Sequence, residues 1–106
     1  MNFIRQDSHS DDCFYRLCKV LDSSKIDFLF IDGDHSYDGV KKDYLMYSKL
    51  VNKGGVIAFH DIAKDDQPNK VCGVHKFWNE IKSDYKHKEF IDSPEQIGFG
   101  IGILLT

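Results

Sequence analysis

Acidic and histidine side chains follow two short apolar runs of the sequence, at the point where each run ends. There are five of them: Asp32, Asp34 and His35 follow the run 26–31, and His60 and Asp61 follow the run 55–59. Carboxylates combined with an imidazole can hold a divalent cation or carry out general acid-base catalysis. A set that contains a neutral imidazole suits Mn²⁺, Fe²⁺ or Zn²⁺ better than Mg²⁺. The pattern therefore predicts that Asp32, His60 and Asp61 converge in one site.

Some of these residues have a simpler structural explanation. Asp34 and Asp38 can instead cap the helix that follows them, and ordinary turn chemistry also places acidic residues after strands. A calcium-binding loop fits poorly, because the position that requires glycine holds Tyr37 and the last position holds Asp43 in place of glutamate.

A second motif is the run of glycines at 98, 100 and 102, which resembles a phosphate-binding sequence. Only four residues follow it, too few for the helix whose N-terminus would face a phosphate. The run therefore indicates a strand whose bare face lets another element approach closely.

Three amphipathic stretches predict the helices that position these residues. The first begins at Ser8 or Ser10, where two aspartates follow and favour a helix N-terminus. Apolar residues recur at helical spacing in each stretch: Phe14, Leu17, Cys18 and Leu21, then Val40, Tyr44, Tyr47 and Val51, then Val74, Phe77, Trp78 and Ile81. We expect Gly54 and Gly55 to end the second helix.

The apolar runs 26–31 and 55–59 predict two buried strands of a parallel sheet. With the helix between them they form a βαβ unit, which is right-handed in nearly all known cases. Both polar groups then lie at the carboxyl ends of the strands, where ligands bind in such sheets. Further strand candidates are 2–5, 85–91 and 97–105, and 63–69 is expected to be a loop.

Composition excludes several classes of protein. The 106 residues fit one domain, and a net charge of -3 with a pI near 5.9 argues against nucleic acid as a partner. No apolar stretch approaches the roughly 20 residues of a membrane helix, so we expect a cytoplasmic protein. The three cysteines form no CxxC pair, which argues for buried thiols and against a disulfide framework or a zinc knuckle.

Three segments of the sequence resemble methyltransferase family 24, within the class I S-adenosylmethionine-dependent methyltransferases. They are 26–37 (IDFLFIDGDHSY), 54–62 (GGVIAFHDI) and 73–74 (GV). The resemblance implies an α/β fold with a Rossmann-like sheet in the order 3-2-1-4-5-7-6, mostly parallel with a C-terminal antiparallel strand. The sequence has no glycine-rich loop of the kind that ends the family's first strand. By this resemblance residues 1–106 correspond to strands 3 to 7, a truncated, C-terminal part of the domain.

The resemblance also implies roles for individual residues. Asp7 and Ser8 match the positions that meet the adenine ring of S-adenosylmethionine. Asp32 matches the aspartate that binds metal or stands beside the reacting group in related O-methyltransferases. His60 and Asp61 fall where those enzymes carry Asp-Asp or Asp-Asn metal ligands, so the histidine departs from their pattern.

His35 is the alternative general base implied by the resemblance. The implied reaction is methyl transfer to a hydroxyl of a small molecule or sugar, with S-adenosylmethionine as cofactor and a divalent metal as a second candidate. The alternative is a non-catalytic remnant or a metal-binding interaction module with the same half-fold.

The family's strand order also predicts an open sheet edge. Strand 26–31 would normally pair with the first strand, so its edge is left open and invites another chain. We expect a homodimer across this edge, or residues 2–5 folding back onto it, or a complementing N-terminal half. The homodimer is favoured over the fold-back because a short polar segment covers little apolar surface.

Overall fold

The computed structural model describes residues 4, 6–33, 36–62, 73–91 and 100–106. In chain order the elements are α1 (Asp11–Leu21), β1 (Ile26–Ile31), α2 (Tyr37–Tyr47), β2 (Val51–His60), α3 (Val74–Ile81), β3 (Lys86–Phe90) and β4 (Ile101–Leu105). Short 3₁₀ turns follow α2 and α3, at Ser48–Leu50 and Lys82–Asp84. In this described part of the chain, no helix has the length and apolar character needed to cross a membrane.

Helix α1 begins and ends where local chemistry favours it. The Ser10 hydroxyl accepts the amide of Cys13 at 3.1 Å, which caps the first turn. The helix ends at Asp22, whose left-handed backbone lets its amide donate to the Cys18 carbonyl. Of the cysteines on this helix, Cys13 is buried and Cys18 is half-buried. The predicted start of the helix is confirmed at Ser10.

The N-cap residue of helix α2 is Ser36, whereas the sequence suggested Asp34 and Asp38 as caps. The Ser36 hydroxyl accepts the amide of Gly39 at 3.0 Å. Asp38 lies in the first turn, where its charge still favours the helix dipole, and Asp34 lies outside the described residues. The cap is therefore a serine, and Asp38 does not provide it.

The predicted end of α2 at Gly54 and Gly55 is wrong. The helix ends at Tyr47, and both glycines lie inside β2. Between two successive pairs with β1, the register advances by two residues on β1 and by five on β2. Gly54 has φ of +89°, which a glycine adopts without strain, and it absorbs this bulge. Val51 continued the helical spacing of the sequence, but it is the first residue of the strand.

The four strands form one sheet in the order β1-β2-β4-β3. Strands β1 and β2 are parallel neighbours joined by α2, as predicted, and β4 runs antiparallel to both β2 and β3. This order corresponds to strands 4-5-7-6 of the implied sheet, so the fold class is confirmed. The strand candidate 2–5 and the loop 63–69 lie outside the described residues, apart from Ile4.

The core lies on the sheet face that α2 and α3 cover. Its buried members are Ile31, Val40, Ile57, Phe59, Ile62, Val74, Phe77, Trp78 and Leu104. Trp78 packs against Phe59 with ring centroids 5.8 Å apart and donates from Nε1 to Glu89 at 2.8 Å. A Cβ at Gly102 would lie 2.6 Å from the Trp78 ring. The expectation that a bare strand face admits a close neighbour is thus confirmed at Gly102.

The opposite face of the sheet is apolar and exposed. Side chains alternate along a strand, so Phe28 and Phe30 point away from the face that carries their neighbour Ile31. Phe28 is 58% exposed, Phe30 is 44% exposed, and Phe90 on β3 is 59% exposed. The two phenylalanines of β1 stack with centroids 6.5 Å apart. We call this surface the open face.

Candidate functional site

The ends of β1 and β2 bring three predicted residues together. Asp32 follows β1, His60 is the last residue of β2, and Asp61 comes next. Because Ile31 pairs with Phe59 in parallel register, the residues that follow them are neighbours. His60 Nδ1 lies 3.3 Å from Asp32 Oδ1 and 3.1 Å from Asp61 Oδ2. The predicted convergence of these three side chains is confirmed.

The backbone at Asp61 helps to build this cluster. Its φ is +67°, a left-handed conformation that aspartate and asparagine tolerate better than most residues. Its amide donates to the carbonyl of Gly100 at 2.9 Å, which anchors the turn to the residue before β4. Backbone strain of this kind often accompanies functional sites. The turn leaves the Asp61 side chain only 15% exposed beside His60.

The cluster offers the donor set of a divalent cation. One ligand atom from each of Asp32, His60 and Asp61 lies within 4.8 Å of the others. Two carboxylates and one imidazole suit Mn²⁺, Fe²⁺ or Zn²⁺. The same atoms can also exchange a proton, since His60 Nδ1 lies between two carboxylate oxygens. The geometry is compatible with both of the predicted chemistries.

A cavity of about 490 Å³ opens beside this cluster along β1. Its lining includes Gln6, Ser8, Leu29, Asp32, Gly33 and Asp43. The structure thus places the predicted cofactor residue Ser8 and the predicted metal ligand Asp32 on the same cavity. Asp7 is not among the lining residues; its carboxylate accepts the amide of His9 at 3.0 Å in a local turn. His35, the alternative base, lies outside the described residues.

Sequence reasoning missed Asp43 as a site residue. It is 5% exposed and lines the cavity. Its Oδ1 accepts the Ser8 hydroxyl at 2.7 Å and lies 3.3 Å from His9 Nε2. The available signal was its position on α2, four residues after Gly39 and four before Tyr47, on a face that is otherwise buried.

Two tyrosines near this region have perturbed acidity. Burial raises the pKa of Tyr47, and the hydrogen bond to Cys13 raises it further. Burial likewise raises the pKa of Tyr44, together with the hydrogen bond to Tyr85. Both phenols therefore stay neutral and act as hydrogen-bonding groups, which excludes them as bases near neutral pH.

Comparison with protein families shows the family to which this chain belongs. The model of methyltransferase family 24, described as a methyltransferase domain, matches residues 1–62. This match covers more than half of the chain, so the chain belongs to that family. A shorter match links it to an uncharacterized protein of Acanthamoeba polyphaga mimivirus, 61% identical over 36 residues, which are 34% of this chain and 16% of that protein.

Solved structures show the same fold. An O-methyltransferase from Bacillus cereus, in complex with SAH, aligns with a TM-score of 0.56 and 18% identity. The O-methyltransferase TomG from Streptomyces achromogenes, involved in tomaymycin synthesis and solved with SAM, aligns with a TM-score of 0.57 and 18% identity. The alignments cover 90% and 87% of this chain but 46% of each of those proteins. The chain therefore spans slightly less than half of their length.

Proposed function

We propose that this chain is part of an S-adenosylmethionine-dependent O-methyltransferase that acts on a hydroxyl of a small molecule or sugar. The observation that carries the proposal is the shared cavity of Ser8 and Asp32 at the carboxyl ends of the strands, in a chain of family 24. Ligands bind at this end of parallel sheets. The two aligned O-methyltransferases were solved with SAH and with SAM, which supports the same cofactor here.

The residues of the cavity fit a nucleoside cofactor. Ser8 offers a hydroxyl, Leu29 offers an apolar wall, and Gly33 lets a ligand approach the backbone closely. When bound, S-adenosylmethionine supplies an electrophilic methyl group. Ser8 would contact the adenine part, while Asp32 would face the reacting end. Holding donor and acceptor in line supplies most of the rate in such a reaction.

Asp32, His60 and Asp61 would handle the methyl acceptor. Methyl transfer to oxygen breaks a carbon–sulfur bond, forms a carbon–oxygen bond and releases the hydroxyl proton. Asp32 is the group assigned to take this proton or to hold a cation beside the oxygen. His35 remains the alternative base on its position in the sequence. A cation held by the cluster would act as a Lewis acid and make the hydroxyl easier to deprotonate.

The first test measures metal and cofactor binding on the same protein. Mn²⁺ titration followed by electron paramagnetic resonance should show one site, which Asp32→Asn weakens at least tenfold. Asp84→Asn removes the same charge from an exposed position outside the cluster and should leave the affinity unchanged. Calorimetric titration with S-adenosylhomocysteine should show binding. Absence of nucleoside binding, to the chain alone and to any assembly it forms, would overturn the proposed function.

A second candidate is a non-catalytic, metal-binding module. One observation favours it. Asp32, His60 and Asp61 lie at the end of β1 or β2 or directly after it, so the cluster forms within this chain. Tight Mn²⁺ binding without any binding of S-adenosylhomocysteine would support this second candidate against the first.

A further inference from the structure

Asp43 is a buried carboxylate that the proposed chemistry does not use. A buried charge is costly unless it is hydrogen-bonded, and Asp43 is 5% exposed. Its described partners both belong to the segment before α1: the Ser8 hydroxyl at 2.7 Å and His9 Nε2 at 3.3 Å. The segment therefore satisfies the carboxylate, and the carboxylate in turn holds the segment.

The described polar contacts that reach Ser8 and His9 from a helix all come from one face of α2. Gly39, Asp43 and Tyr47 are spaced by four residues, so they lie on the same side of the helix. The Gly39 carbonyl lies 3.0 Å from His9 Nε2, and the Tyr47 hydroxyl donates to the Ser8 carbonyl at 2.6 Å. Ser8 is thus held through its backbone by Tyr47 and through its side chain by Asp43.

The contacts determine where the protons lie. His9 Nε2 faces two acceptors, the Gly39 carbonyl and the Asp43 carboxylate, so Nε2 carries the proton and donates. An ionised carboxylate only accepts, so the Ser8 hydroxyl must donate its proton to Asp43. The Ser8 oxygen then has only lone pairs left to offer to the cavity that it lines.

We infer that Asp43 is a positioning residue that turns Ser8 into a hydrogen-bond acceptor toward the ligand. The inference rests on the proposed function, which assigns Ser8 to the adenine ring. An acceptor at this place favours a ring that presents an amino group and disfavours one that presents a carbonyl oxygen. Without Asp43 the Ser8 hydroxyl is free to rotate, and it can donate or accept.

Amide hydrogen exchange tests the positioning without any ligand. The amides of His9 and Ser10 donate to Asp7, so their protection reports whether the segment keeps its turn. A hydrogen bond to a charged group stabilises enough that Asp43→Ala should speed their exchange by about tenfold or more. Asp43→Asn keeps one acceptor oxygen and should restore most of the protection. Asp38→Asn, an exposed change on the same helix, is the matched control and should have no effect.

The fluorescence of the single tryptophan, Trp78, checks that the core stays folded in each variant. A twofold change in exchange rate is smaller than the loss of one such hydrogen bond would cause. The positioning role is therefore overturned if a folded Asp43→Ala protein exchanges the His9 and Ser10 amides within about twofold of the unmodified rate.

Ligand discrimination tests the polarity of Ser8. S-adenosylhomocysteine has an amino group at C6 of the purine and a bare N1, whereas S-inosylhomocysteine has a carbonyl oxygen at C6 and an N–H at N1. The unmodified protein should prefer the first by about tenfold, and Asp43→Ala should lower this ratio of the two dissociation constants several-fold, because the freed Ser8 hydroxyl can then also donate to a carbonyl oxygen. A merely structural role would weaken both ligands equally and leave the ratio unchanged, which would overturn the inference. If neither nucleoside binds, the proposed function fails, and the exchange experiment alone decides the role of Asp43.

Discussion

Replacing Phe28 and Phe30 by threonine tests whether the open face is an interface. Both side chains are apolar and exposed on β1, and among the described strands β1 pairs only with β2. An unpaired strand edge next to an exposed apolar surface favours association with another chain. We propose a second copy of this chain as the partner, paired across the β1 edge.

The expected cost to the isolated fold is small. Burying a whole phenylalanine stabilises a protein by about 1.5–3 kcal/mol. Phe28 is 58% exposed, so less than half of that, about 1 kcal/mol, is lost when it is shortened. Phe59 is 0% exposed on the other face, and Phe59→Ala should cost about 3–5 kcal/mol. Threonine is β-branched and suits a strand, so the strand itself should persist.

Urea unfolding measures the loss of stability, and sedimentation velocity separately measures the loss of the dimer. The unmodified protein should sediment as a dimer at micromolar concentration, and the Phe28→Thr, Phe30→Thr double variant should sediment as a folded monomer. Leu45→Thr is the matched control, because Leu45 is also 58% exposed but lies on α2.

Two results would refute this reasoning. One is an unmodified protein that is monomeric while the β1 amides exchange slowly. The other is a double variant that loses as much stability per residue as Phe59→Ala, since the phenylalanines would then be buried within a single chain.

Three further predictions concern the core, the cluster and the pH dependence. Gly102→Ala should lower the free energy of unfolding by about 1–3 kcal/mol in urea titrations, because its Cβ would force Trp78 to move; an unchanged midpoint would contradict the packing. Asp61→Asn should keep the left-handed turn and the melting temperature but weaken Mn²⁺ at least tenfold, and unchanged Mn²⁺ affinity would remove Asp61 from the site. The raised pKa values of Tyr44 and Tyr47 stabilise the fold below the unfolded value of about 10, and this contribution is lost as the pH rises further. Tyr44→Phe should therefore flatten the fall of stability measured by urea unfolding above about pH 10, and an unaltered slope would contradict this.

Local patterns predicted the elements and the convergence of the cluster because both depend on near neighbours in the chain. A serine followed by two aspartates marks the start of α1, and a βαβ unit has one preferred hand. Once β1 and β2 are parallel neighbours, Asp32 and His60 must lie side by side. The three cluster residues could therefore be chosen without knowing any other contact.

The end of α2 and the role of Asp43 depend on contacts that are distant in sequence. Gly54 and Gly55 look like a helix stop, yet their backbone groups pair with Thr106 at 3.1 Å. Thr106 lies about fifty residues later, so no local pattern signals this pairing. Nothing near Asp43 in the sequence distinguishes it from an ordinary polar residue, and its role follows only from its contact with Ser8, 35 residues earlier.

The cluster and the cavity share Asp32 but are otherwise held by different contacts. The cluster is held by the pairing of β1 with β2 and by the Asp61 turn. The cavity lies along the side of β1 that no described strand pairs, between that strand and the segment which α2 holds in place. Pairing of a second copy with the β1 edge and the open face should therefore change the affinity for a nucleoside strongly and the affinity for Mn²⁺ little. A dimer-disrupting substitution that lowers both affinities equally would show that the cluster, too, depends on the partner.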